Sequence, residues 1–251
     1  MFNLLVITMF IVLITMYYLD TLYPVVGYES LIMSQSNKKE IYRLLEIISK
    51  TFDKHDIKYW IMSGTLLGSV RHGDIVPWDD DADIGVFESD INKILDLTEY
   101  LNSLGYEVIR RWKIYRFKKI GNEYPFVDIF PFIKQDDKYV MNRKDLIEMW
   151  PDEYYLEKEL FPLKKYKFGN EYLWGPNYPL EHLDRIYKNW RFVGKQTFNH
   201  EINKNINMTI ELEHSNPKHK LKPYLYVSQK SDLKKTYDEH YNDKIIVIKN
   251  D

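Results

Sequence analysis

Four aspartates, Asp79, Asp80, Asp81 and Asp83, fall within five positions and run directly into the apolar stretch Ile84-Gly85-Val86-Phe87. Charges of one sign packed this closely repel, and a solvated acidic loop is the ordinary outcome. Here the run leads into a strand, and the alternation of strand side chains places Asp81 and Asp83 on the same face, one strand step apart. Two carboxylates on one face at a sheet edge suit a hard divalent cation, Mg²⁺ or Mn²⁺, whose coordination shell also takes substrate phosphates. The chain has no cysteine, so disulfides and thiolate zinc sites are excluded. Any metal must be held by carboxylate, imidazole or carbonyl groups.

Upstream, Lys58 to Met62 is a short β-prone run that ends at Ser63-Gly64-Thr65, and Thr65 to Arg71 has room for about two helical turns closed by Gly73. The N–H groups that open a helix bind phosphate, and a glycine lets the backbone approach it closely. Many strand-to-helix joins use glycine only for packing, so the join gains meaning from the acidic strand that follows. Asp128 sits between large apolar residues in Phe126-Val127-Asp128-Ile129-Phe130. Such a carboxylate is costly unless paired or metal-bound. It is read either as a third ligand or as a salt-bridging residue at a strand end. Arg71 and His72, at the end of the short helix, either neutralise phosphate charge or act as ion-pair partners for the aspartates. Tyr59, Trp60 and Trp78 are read as core or pocket wall.

Around this segment the chain alternates between helical and strand patterns. Ser34 to Lys54 carries Ile41, Leu44, Leu45 and Ile48 at helical spacing, with Ser36 as a partial cap signal. Asp90 to Leu104 repeats that spacing and is closed by Gly105. Strands are expected at Tyr106 to Arg110, Ile114 to Lys118, Asp83 to Phe87 and Phe126 to Phe130, the last ending before Pro131. From Pro151 the chain is loop-rich, a helix follows from Leu180 to Trp190, and the polar segment beyond Gly194 retains one strand candidate, Lys244 to Ile248. The alternation argues for an α/β or α+β sheet domain. A net charge of −2 over 251 residues offers no electrostatic case for nucleic-acid binding.

Phe2 to Leu19 is apolar throughout except for Asn3, Thr8 and Thr15, about the length that crosses a bilayer core as a helix. Tyr17, Tyr18 and Tyr23 lie at one end, where aromatic rings favour the interface. The basic start and small-residue cleavage site of a signal peptide are missing, so residues 1–26 are expected to form a single-pass anchor. The sequon Asn207-Met208-Thr209 would be usable if the body faces the lumenal or extracytoplasmic side.

The stretch KYWIMSGTLLGSVRHGDIVPWDDDADIG, residues 58–85, resembles the signature of the LicD family, which includes bacterial phosphocholine transferases and the fukutin-related proteins. The likeness extends more weakly through Asp128-Ile129-Phe130-Pro131 and FGNEYLWGPNYPLEHLDRIY, covering roughly residues 38 to 192. It implies an α+β nucleotidyltransferase-type fold, of the DNA polymerase beta superfamily, with a mixed sheet flanked by helices. Residues 34–195 would then be the catalytic domain and 196–251 an extension without assigned role. The resemblance implies that Gly64 and Thr65 hold phosphate, that Asp81 and Asp83 bind Mg²⁺ with Asp128 as third carboxylate, and that Asp79 is an outer ligand or substrate contact. It also implies transfer of a phosphocholine or phosphoalditol group from a CDP-linked donor to a glycan hydroxyl. The animal fukutin-related proteins carry a cysteine zinc site that this chain cannot build, so their acceptor is not carried over. Two rival readings are a nucleotide-sugar glycosyltransferase, which also uses alternate aspartates, and a non-catalytic descendant that binds a glycan or partner. The glycine helix ahead of the aspartates speaks against the first, and retention of Gly64 and every aspartate against the second. Carboxylates of Asp81, Asp83 and Asp128 more than about 8 Å apart could not share one cation.

Overall fold

The computed structural model describes residues 33–211, 224–226 and 246–248. The expected anchor lies outside the described residues. No helix among the described residues is long and apolar enough to cross a membrane.

Helix α1 (Gln35–Lys54) buries Ile41, Leu44, Leu45, Ile47, Ile48, Thr51 and Phe52 on one stripe. Its cap is Ser34 rather than Ser36: the Ser34 hydroxyl accepts from the Asn37 N–H at 3.2 Å. The sheet contains β1 (Tyr59–Ile61), β2 (Ala82–Phe87), β3 (Tyr106–Arg111), β4 (Ile114–Lys119) and β5 (Phe126–Gln135). It adds β6 (Lys138–Met141) and β7 (Tyr155–Leu156) to reach seven strands, in the order β1-β2-β5-β4-β3, with β6 paired to β5 and β7 to β6. β2 and β5 run parallel, while the other neighbours in this sheet are antiparallel. The architecture is mixed α+β.

Between β1 and β2 stands α2 (Ser63–His72), which ends, as the sequence predicts, at Gly73 in the left-handed region with φ 63°. The helix expected over Asp90 to Leu104 is instead a 3₁₀ turn (Glu88–Asp90) followed by α3 (Ile91–Asp96) and α4 (Thr98–Ser103). The break falls where the Thr98 hydroxyl donates to the Leu95 carbonyl at 2.5 Å, competing with the backbone for that acceptor.

β5 does not stop before Pro131. Pairing with β4 reaches Ile129 and pairing with β6 begins at Phe132, so the residue without an N–H sits at the change of partner. Its carbonyl accepts from the Asn142 N–H at 3.0 Å.

Helix α5 (Lys144–Met149) precedes Pro151, and the segment from Pro151 is less loop-like than its prolines and glycines suggest. It forms α6 (Glu157–Leu160), a hairpin of β8 (Lys164–Phe168) and β9 (Glu171–Gly175), and α7 (Pro179–Ile186). Helix α7 stops short of Trp190 because Asn189, at φ 58°, opens a turn whose carbonyl accepts from Phe192 and Val193. A second hairpin follows, β10 (Val193–Asn199) with β11 (Lys204–Glu211), so β10 runs through the expected boundary between residues 195 and 196. Within the expected strand candidate at 244–248, β13 (Ile246–Ile248) pairs with β12 (Tyr224–Tyr226).

α1 packs against β5 and β9. A separate core cluster gathers Trp60, Met62, Ile114, Phe130, Phe132, Tyr139, Met141, Leu146, Tyr155 and Leu160. Trp60 is fully buried, its ring 5.2 Å from Phe132 and 5.3 Å from Phe87. It lies flat against Gly85, where an added Cβ would meet ring atoms at 2.4 to 2.6 Å. Gly85→Ala is therefore expected to cost about 1–3 kcal/mol through overpacking. Urea denaturation monitored by circular dichroism checks this, and an unchanged midpoint would show that Trp60 can move aside.

Candidate active site

The corner between β1 and α2 is stapled to the start of β2. Met62 donates its N–H to the Asp83 carbonyl at 3.2 Å, and the Asp83 N–H donates to the Thr65 hydroxyl at 2.7 Å. Thr65 is 2% exposed, so its side chain fixes the strand that carries the aspartates. Ser63, at φ 46°, occupies the left-handed region, which a residue with a Cβ enters only at a cost of order 1–3 kcal/mol. A Cβ on Gly64 would lie 2.4 Å from Asp79 Oδ2. The Asp79 carboxylate is packed against this glycine and would have to turn aside for any larger residue.

The expected triad comes together. In the parallel pairing Asp83 stands beside Asp128, and one oxygen each from Asp81, Asp83 and Asp128 lies within 4.8 Å of the others. Oxygens on opposite sides of a Mg²⁺ ion stand about 4.2 Å apart, so this spacing accommodates a shared hard cation after small side-chain rotations. Burial pushes the Asp81 and Asp83 carboxyls well above the usual carboxylate range, and repulsion from neighbouring carboxylates adds to it. Burial and Asp80 push Asp79 up to about 7. A cation among these groups would relieve the repulsion.

Asp128 has a second partner that the sequence did not announce. Arg116, opposite it on β4, binds it through Nε to Oδ1 at 2.7 Å and Nη2 to Oδ2 at 2.9 Å. The two readings of Asp128 are thus joined in one residue: it is salt-bridged and it also belongs to the carboxylate cluster. Desolvation raises its pKa, against the opposing pull of Arg116 and, more weakly, His200 and Arg111.

Asp80 is 2% exposed and turns away from the triad, towards the β10–β11 hairpin. Its Oδ2 accepts from the N–H of His200 at 2.5 Å and of Glu201 at 3.2 Å. The His200 ring places Nδ1 3.0 Å from Asp80 and 3.5 Å from Asp81, and those carboxylates outweigh desolvation to push its pKa up to about 8. Trp78 is 1% exposed, donates from Nε1 to the Lys195 carbonyl at 3.2 Å and fills the space over Gly194, where a Cβ would meet its ring at 2.2 Å. The hairpin is thereby built into the wall of the site. No local pattern in a polar Lys- and Asn-rich segment points to His200. The four crowded aspartates were the only hint that one of them needed a distant partner.

Arg71 and His72 are used differently from the expectation. Arg71 is 4% exposed and donates from Nη1 to the Trp190 carbonyl at 2.6 Å and from Nε to His72 Nε2 at 2.8 Å. Burial, with Arg71 beside it, holds His72 well below its ordinary pKa and therefore neutral. Arg71 thus ties α2 to the turn ahead of the hairpin, and His72 is held by Arg71, so both side chains have partners within the fold. Burial first, and then the charge of the nearby carboxylates, pushes the Tyr124 and Tyr187 hydroxyls above the ordinary phenol range.

Two consequences can be measured. Asp79 is held protonated up to about 7 in the fold instead of 3.8, and that contribution to stability is complete below 3.8 and lost as pH rises through 7. Thermal unfolding in EDTA should show that decline between pH 4.5 and 8, and Asp79→Asn should flatten it; an unaltered slope would mean that Asp79 is not held protonated. Asp80→Ala leaves two backbone donors of the hairpin turn without their acceptor, at a cost of about 1–3 kcal/mol. Faster hydrogen exchange at His200 and Glu201 is the local readout.

Residues 56–178 match the family described as LicD/FKTN/FKRP, nucleotidyltransferase domain. An uncharacterised protein of Rickettsia typhi is 40% identical over 158 residues, which are 63% of this chain and 48% of that protein. The ribitol 5-phosphate transferase FKRP of Mus musculus is 29% identical over 128 residues, 48% of this chain and 26% of its own. The lipopolysaccharide cholinephosphotransferase LicD of Haemophilus influenzae is 30% identical over 54 residues, 22% of this chain and 20% of its own. The chain thus spans about half the length of the rickettsial relative and less of the other two. Among solved structures, the lincomycin-bound lincosamide antibiotic adenylyltransferase LnuA aligns over 58% of this chain and 81% of its own, with 18% identity and a TM-score of 0.37. Residues 56–178, which carry Gly64, the aspartate strand and Asp128, are thus the part of this chain that matches the LicD family.

Proposed function

We propose that this protein is a divalent-metal-dependent phosphotransferase that moves a phosphate-linked group from a CDP-activated donor to a glycan hydroxyl. The observation that carries the reading is the convergence of Asp81, Asp83 and Asp128 within 4.8 Å, beside a helix that opens on glycine. The names of the relatives support the class of group: one transfers ribitol 5-phosphate and another phosphocholine.

In this reading Asp81, Asp83 and Asp128 hold Mg²⁺ or Mn²⁺, which when bound offsets the negative charge of the donor phosphates. The unpaired N–H groups in the first turn of α2, around Gly64 and Thr65, face those phosphates. Asp79, packed over Gly64, sits where an outer ligand or substrate contact belongs. Arg116 fixes the plane of Asp128, and His200 with the backbone of the hairpin fixes Asp80 and the loop carrying Asp81. The acceptor oxygen attacks the phosphorus that bears the headgroup, the bond from that phosphorus to the CMP oxygen breaks, and the acceptor proton passes to a carboxylate such as Asp128. Phe2 to Leu19 would anchor the enzyme beside a membrane-associated acceptor.

The test is donor breakdown with CDP-choline, CDP-ribitol and CDP-glycerol in Mg²⁺ or Mn²⁺, comparing the wild type with Asp83→Ala. Loss of one preorganised electrostatic contact of this kind lowers turnover by about 10²–10³-fold. Breakdown that survives Asp83→Ala would remove the site, and activity with UDP-sugars alone would make the protein a glycosyltransferase.

A further inference from the structure

Six tryptophans are present, and two of them stand apart from the rest. Trp60, Trp78 and Trp190 are 0–3% exposed, whereas Trp112 is 55% and Trp150 40% exposed. Trp112 occupies the first position of the two-residue turn between β3 and β4, with φ 55°. Such turns ordinarily place Gly, Asn or Asp at positive φ, so a bulky aromatic there is displayed against the preference of the backbone. Trp150 follows α5. The two indoles lie with centroids 6.4 Å apart and planes at 89°, and Trp150 is 6.1 Å from the ring of Phe130.

The surroundings are charged. Lys113 lies 4.4 Å over the Trp112 ring and pairs with Asp145 at 2.6 Å. Arg143 grips the same Asp145 at 3.1 to 3.2 Å. Arg143, Lys144, Asp145 and Glu148 line a shallow depression of about 450 Å³ beside these ion pairs. Indoles beside the charged cluster of Lys113, Asp145 and Arg143 make a poor centre for a protein interface, where charge is depleted. They suit a ligand with apolar faces and polar edges, which is the character of a sugar ring: C–H faces lie on the indoles while hydroxyls reach the lysine, arginine and carboxylates.

The platform is continuous with the carboxylate cluster. Phe130 is two residues along β5 from Asp128 and on the same face, about 7 Å away by strand geometry. Arg111, next to Trp112 in the chain, is among the cations that act on Asp128. We infer that Trp112 and Trp150, with the Lys113–Asp145–Arg143 cluster, form the subsite that holds the acceptor oligosaccharide and directs its hydroxyl towards Asp128. This rests on the phosphotransferase reading for its purpose, while the binding itself can be measured apart from any reaction.

The experiment titrates the full chain with cellohexaose, chitohexaose and mannohexaose and follows tryptophan fluorescence. At least one hexasaccharide should quench the wild type, and its Kd should rise about tenfold or more in Trp112→Ala and in Trp150→Ala, the effect of losing one stacking surface. Both changes are at exposed positions, and matching far-ultraviolet dichroism and Tm confirm that the variants fold. Asp83→Ala should bind the sugar as the wild type does, so failure of the catalytic reading leaves this result intact. Absence of quenching by all three sugars, or equal Kd in both variants, overturns the subsite. A wild type that sediments as a dimer and becomes monomeric on Trp112→Ala would assign the platform to a second copy of the chain instead.

Discussion

The parallel pairing of β2 with β5 brings Asp83 level with Asp128 and sets the position of every other group in the site. Side chains alternate along a strand, so a slip of one residue would turn Asp128 to the opposite face and leave the aspartates facing apolar side chains. The register is held from both sides. Trp60 lies against Gly85 on one flank, a contact that admits no Cβ, and Arg116 meets Asp128 on the other. The Thr65 hydroxyl on the Asp83 N–H ties the start of β2 to the glycine corner. Packing and hydrogen bonding thus hold together carboxylates whose mutual repulsion would otherwise separate them.

That repulsion is distributed among partners of different kinds. Asp80 is satisfied by two backbone N–H groups and the His200 ring, and Asp128 by a bidentate arginine. Asp79, Asp81 and Asp83 keep raised pKa values, with burial as the largest cause. A cluster in which Asp80 and Asp128 have close protein partners, while Asp79, Asp81 and Asp83 stay crowded and buried, is organised to receive positive charge from outside. The partition also explains the attachment of the β10–β11 hairpin. It supplies the donors for Asp80, and its position depends on Trp78, Arg71 and that one carboxylate.

On the far side of Asp128 the same sheet face leads through Phe130 to an exposed aromatic surface at the β3–β4 turn. One end of this surface is thereby backbone and carboxylate, and the other end is indole and ion pair. Chemistry that joins an anionic, metal-bound donor to a neutral, amphipathic acceptor would be served by that contrast.

Local pattern in the sequence settled a good part of this arrangement. The two-residue period put Asp81 and Asp83 on one face, the helical period defined α1, and Gly73 marked the end of α2, because each of these depends only on neighbouring residues. The run from residue 58 to 85 was distinctive enough to point to the LicD family, and Asp128 was legible as an aspartate stranded among apolar neighbours. Where local signals competed, the reading was less sharp: Thr98 broke a helix that periodicity continued, and Pro131 was carried inside a strand because β5 changes partners there. The tertiary structure alone decided which partner each charge receives. It withdrew Arg71 and His72 into packing, gave Asp80 to His200 from 120 residues away, and set Arg116 on Asp128. It also brought Trp112, in the β3–β4 turn, against Trp150, which follows α5. Such pairings follow from strand register and helix docking over long separations, which no local periodicity encodes.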